Sequence, residues 1–213
     1  MNKKSKGLIF IVDISGFTRF VSRTANEDGN LIIRQLFYSI INANELSFQI
    51  SEIEVDAILF YQFGKPLPVS KILAQFRKML HSFQAQIKKL RGIYPFVKDL
   101  SIKVIVHYGE MSIYQIGRFF KLFGQPLIDA HRLLKNSIGL DTYVLITNQY
   151  INELTSEYKL PQHCGYNACE LYDVGNLCYT YFPFQQNGTT ASSTSAEQNL
   201  PRCENIAFNS LSV

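Results

Sequence analysis

The chain has 213 residues, of which 46% are hydrophobic and 18% charged, with a net charge of +4. This is the balance of a globular chain with enough apolar material for a core of its own, and the charge is too small and too scattered to make it a nucleic-acid binder. The clusters Lys3-Lys4-Ser5-Lys6 and Lys88-Lys89-Leu90-Arg91 read as solvated surface. No stretch reaches the ~18 apolar residues of a membrane helix. The short apolar run behind the basic start meets Asp13, unlike a secretory signal, so a cytoplasmic protein with no membrane partner is expected.

In chain order, "GLIFIVD" (7–13) reads as a fully buried strand, short, continuous and rich in Ile, Val and Phe. Gly16 permits a turn. Apolar residues then recur at helical spacing from Phe17 to Ile41, interrupted by "NEDGN" (26–30), which predicts two helices with a break there. Residues 46–63 predict two strands in a hairpin that turns just before Asp56. Residues 69–91 carry the stripe of a long amphipathic helix. "LSIKVIVH" (100–107) alternates as a strand, "YGE" is expected to turn, and "MSIYQI" to return as its partner. A helix over 125–137 with an early proline follows, then a strand over 142–147 and a short helix capped by Thr147 or Asn148. A last hairpin is expected to turn at Gly175-Asn176.

Helices separated by strand pairs indicate an α+β fold with a mostly antiparallel sheet over residues 1–184. The polar, aperiodic stretch 185–213 reads as a disordered tail. The four cysteines, Cys164, Cys169, Cys178 and Cys203, match no common zinc spacing and read as free thiols, although Cys164 and Cys169 with His163 would offer a metal set.

Two carboxylates are out of place. Asp13 ends a buried strand and Asp56 begins one, and an unpaired charge out of water costs several kcal/mol or shifts its pKa. Each therefore needs a donor, a cation or a metal. Were their strands neighbours, a divalent cation would relieve the repulsion between them, and hard cations such as Mg2+ favour such carboxylates completed by phosphate oxygens. The turn "ISGFT" adds backbone N–H groups suited to phosphate.

Here the chain resembles the class III nucleotide cyclases. "VDISGFT" is similar to their first signature, a hydrophobic strand ending in Asp-(Ile/Leu)-x-Gly-Phe-(Thr/Ser). "EIEVDAILFY" resembles the second, with Val55 in place of its glycine, "HYGEM" the His-x-Gly strand end, and "FGQPLIDAHRLL" the helix Gly-(Asp/Asn)-x-Val-Asn-x-Ala-x-Arg. The resemblance spans residues 7–183. It extends to a bacterial adenylate-cyclase-like group marked by "SEIE-x-DAILFY", "KLFG" and "AHRLLKN".

The resemblance implies a ferredoxin-like cyclase fold, a homodimer, and conversion of a nucleoside triphosphate to a cyclic nucleotide and pyrophosphate with two Mg2+ or Mn2+ ions per site. It assigns Asp13 and Asp56 to the metals, Ile14, Ser15, Gly16, Phe17 and Thr18 to the phosphate-facing turn, Glu52 and Lys121 to base reading, and Arg132 to transition-state charge, from the opposite subunit. Four features depart from the family: Ile128 replaces the ribose-positioning asparagine, Val55 the glycine, the Glu52 and Lys121 combination is unusual and would pair as a salt bridge, and the late phosphate-binding lysine has no counterpart. They leave open a second reading, a cyclase-fold module that binds nucleotide or dimerises for regulation. His107 and His131 read as core or turn histidines rather than bases.

Overall fold

The computed structural model describes residues 4–155, 165–172 and 175–184. Strand β1 (Ser5–Ser15) leads through Gly16 into helices α1 (Phe17–Val21) and α2 (Asn26–Asn42). A hairpin of β2 (Gln49–Ile53) and β3 (Ala57–Phe63) follows, then α3 (Val69–Leu90) and a 3-10 turn over Pro95–Asp99. Next come β4 (Ser101–Ile116), β5 (Phe119–Phe123), α4 (Gln125–Leu133), β6 (Tyr143–Thr147) and α5 (Asn148–Glu153). The hairpin of β7 (Tyr166–Tyr172) and β8 (Gly175–Pro183) completes the described fold. This is the α+β element order expected from the sequence.

The strands lie in the order β2-β3-β1-β4-β6-β8-β7, with β5 on the far half of β4. All pairings are antiparallel except β4 with β6. Side chains alternate across the sheet, so the unbroken apolar run of β1 serves two cores. Leu8, Phe10 and Val12 face a cluster with Ile32, Leu36, Phe76 and Phe83 of α2 and α3. Ile9 and Ile11 face the opposite cluster, with Leu59, Ile105, and Ala130 and Leu133 of α4.

Several local expectations are corrected. "NEDGN" opens α2 rather than interrupting it: Glu27 and Asp28 sit in the first turn, where carboxylates complement the helix dipole. "YGE" does not turn; β4 runs straight through it, pairing Gly109 with Gly7 of β1. The glycine serves close packing instead, because a Cβ on Gly109 would lie 2.5 Å from Cγ of Pro126. The chain reverses at Gly117, whose φ of 57° is in the left-handed region, and β5 is the true partner. Helix α4 ends at Leu133, short of the predicted 137. Gly175 pairs with Tyr172 and Asn176 with Leu171, so the expected turn at these two residues lies inside the ladder. That register sets Cys169 opposite Cys178, and the two form a disulfide rather than remaining free thiols. The expected tail, Cys164 and Cys203 lie outside the described residues.

Candidate active site

Strand β1 and the turn before β3 deliver the two anomalous carboxylates to the same end of neighbouring strands. Asp13 pairs with Ala57, and the Ile14 backbone N–H donates to the Asp56 carbonyl at 2.9 Å. Asp13 is mostly buried, and its cation is Lys103 of β4, whose Nζ lies 3.2 Å from Oδ2. Lys103 Nζ also donates to the Leu134 carbonyl at 3.3 Å. Burial pushes the Asp13 carboxyl above its ordinary value; Lys103 opposes the rise, and the charges of Asp56 and Glu54 reinforce it.

The turn Ile14–Thr18 wraps this end of β1. Ile14 and Ser15 are buried, and Ser15 Oγ donates to the Asp141 carbonyl at 2.8 Å. Gly16 adopts φ 83°, and a Cβ there would lie 2.9 Å from the Asp99 carbonyl, so the turn is pressed against the 3-10 segment. Phe17 packs on the core beside Phe20, while Thr18 is exposed.

Glu52 follows a bulge in the β2–β3 ladder, a feature that re-aims side chains, and forms an ion pair with Lys121 of β5. That hydrogen-bonded contact raises the Lys121 pKa. Glu54 faces His131 of α4, Oε1 to Nε2, at 3.7 Å. Further along the same helix, Arg132 Nη1 lies 4.0 Å from Asp129 Oδ1, and the Arg132 carbonyl accepts from the Tyr172 hydroxyl at 3.0 Å. Ile128, His131 and Arg132 line one open depression on α4. His107 is a core histidine, as expected, but its partner is a side chain rather than backbone: Nδ1 lies 2.9 Å from Thr147 Oγ1. Burial drives its pKa down to about 4, with Asp129 opposing.

The described chain thus groups Asp13, Asp56 and the Ile14–Thr18 turn at one strand end, and joins Glu52 to Lys121. It places Arg132 on α4, among α4 and β7 partners. Sequence reasoning missed Lys103 and Glu54. A lone lysine in the apolar strand "LSIKVIVH" is the counterpart of a lone carboxylate in "LIFIVD", and that symmetry was the available signal.

The model of the family described as DUF2652, "Protein of unknown function", matches residues 33–143, more than half of the chain. The chain belongs to the DUF2652 family. An uncharacterized protein of Mycobacterium tuberculosis, Rv2561/Rv2562, is 29% identical over 121 residues, which cover 54% of this chain and 56% of the relative. This DUF2652 chain therefore matches only about half of that relative's length. Among solved structures, the guanylyl cyclase Cya2 superposes with a TM-score of 0.70 at 15% identity, over 84% of this chain and 92% of the other. A bacterial light-regulated adenylyl cyclase gives 0.61 at 15% identity, over 84% and 52%. The adenylyl cyclase CyaB of P. aeruginosa gives 0.57 at 12% identity, over 89% and 100%. This DUF2652 fold is that of the class III cyclase catalytic domains. Among the described residues, no helix is long and apolar enough to cross a membrane.

Proposed function

We propose that this DUF2652 protein is a class III nucleotide cyclase-type domain, binding a nucleoside triphosphate and a divalent cation at Asp13 and Asp56. The observation carrying the reading is that these two aspartates stand at adjacent strand ends, beside the Gly16 turn. The donor chemistry fits a hard cation: Lys103 approaches one oxygen of Asp13, and the half-buried Asp56 is a second carboxylate whose charge acts on Asp13. When bound, Mg2+ or Mn2+ would supply charge for the triphosphate and activation of the ribose 3′-hydroxyl.

The chain's own residues then have defined tasks. Asp13 and Asp56 hold the ions, and the Ile14–Thr18 turn faces the phosphates. Glu52 and Lys121 meet the base, which requires their ion pair to open. Arg132 of a second copy offers its guanidinium to the charge that develops as the 3′-oxygen attacks the α-phosphorus and pyrophosphate leaves. A homodimer is supported by the β4–β5 arm, where Ile116, Phe119, Phe120 and Phe123 are each more than 60% exposed.

The test is release of pyrophosphate from each of the four common nucleoside triphosphates, with Mg2+ and with Mn2+. Turnover that disappears in Asp13→Ala and Asp56→Ala supports the reading; no turnover in any combination sinks it. A second reading, nucleotide binding without turnover, is favoured by the exposed Ile128 at the asparagine position and by the lysine already on Asp13. Thermal stabilisation by triphosphate plus metal, in the absence of product, would select it.

A further inference from the structure

The geometry points to a separate binding site for a zinc-class divalent ion formed by Glu52, Glu54 and His131. The site does not rest on the cyclase reading. One donor atom from each residue lies within 4.8 Å of the other two. The three come from different segments: Glu52 from β2 just after its bulge, Glu54 from the tight β2–β3 turn, and His131 from α4. The turn is fixed by the Glu54 N–H, which donates to the Ala57 carbonyl at 2.8 Å.

The spacing is informative. His131 Nε2 and Glu54 Oε1 are 3.7 Å apart, too far for a hydrogen bond, which runs to ~3.2 Å. An ion ~2.1 Å from each of two donors separates them by ~3.0 Å at right angles and ~4.2 Å across the ion. The observed gap falls between those limits. Charge argues the same way. Glu54 acts electrostatically on Asp13 and on Lys121, and its side chain faces the His131 ring nitrogen. All three side chains are a quarter or more exposed, so an ion has access.

One imidazole with two carboxylates selects Zn2+, Co2+ or Mn2+ over Mg2+, which keeps to oxygen donors and water. This separates the site chemically from the all-oxygen Asp13–Asp56 pair. Ligation by Glu52 would also withdraw it from Lys121, freeing that ammonium on the β5 arm.

The experiment uses the full chain, stripped of metal and held in excess Mg2+. Co2+ is added while its visible d–d absorption is followed, and Zn2+ binding is measured by calorimetry. One Zn2+ per chain is expected, with affinity lowered at least ~10-fold in His131→Gln, Glu54→Gln and Glu52→Gln, and unchanged in Asp13→Asn/Asp56→Asn. Circular dichroism of each variant controls for folding. Absence of Zn2+ binding overturns the proposal. So does binding that survives His131→Gln, as cysteine ligation would, or binding lost with Asp13 and Asp56, which would assign the ion to the other pair.

Discussion

Replacing Lys103 by methionine removes the cation from Asp13 while keeping the length of the side chain. The two side chains are 19% and 13% exposed, so the carboxylate left behind is largely out of water. Breaking a fully buried pair by deleting one partner costs about 3–5 kcal/mol. With the remaining water access, about 2 kcal/mol is expected, or ~4–8 °C in Tm for a domain of this size. The loss should depend on pH. Asp13 already binds its proton more tightly than its ordinary value of 3.8, and Lys103 restrains the rise. Because the folded chain holds this proton longer than the unfolded one, its stability falls as pH climbs from that value through the folded pKa, then levels off. Lys103→Met lifts the folded pKa further, so the deficit should be small near pH 4 and full at pH 8. Urea unfolding at both pH values, with Asp13→Asn added as a double-mutant cycle, measures this. Asp13→Asn should recover most of the loss at pH 8, and Mn2+ should recover part of it if the aspartates bind cations. A penalty equal at both pH values, or additive with Asp13→Asn, would refute the account of Asp13 as a buried charge neutralised by Lys103.

Gly109→Val should cost about 1–3 kcal/mol through collision with Pro126, read as a lower urea midpoint with an unchanged m-value. His107 has its pKa lowered from 6.5 to about 4, so the unfolded chain takes up its proton first. Stability should be complete above about pH 6.5 and decline below it, by on the order of 3 kcal/mol near pH 4, and His107→Gln should flatten that limb in pH-dependent unfolding. Phe119→Ser/Phe120→Ser should shift light scattering from dimer to monomer with unchanged circular dichroism; an unchanged mass would remove the β4–β5 arm from the interface.

Legibility in the sequence followed the range of the interactions. Helix α3 was readable because its stripe repeats locally from Val69 to Leu90, and β1 because Leu8–Val12 could only be buried. The continuity of β4 was not, since the role of Gly109 is set by Pro126, a residue on another element. The Cys169–Cys178 bond depended on a hairpin register that only pairing reveals. At the site, two strand-end aspartates announced themselves by their apolar company. Lys103 did not, because alternation alone reads a lysine as facing solvent, and its partner Asp13, opposite it in the β1–β4 register, lies 90 positions earlier in the chain.

Strand β4 belongs to two structures at once. Its first half carries Lys103 in the central ladder, its second half carries the aromatic arm, and its pairing with β1 runs without a bulge from Ser101 to Met111. The arm is therefore phased to the strand like teeth on a single rack. Lengthening it by one residue beyond Met111 would turn every arm side chain to the opposite side, sending Lys121 away from Glu52. Adding two residues would carry the phenylalanines outward by ~7 Å while each kept its side.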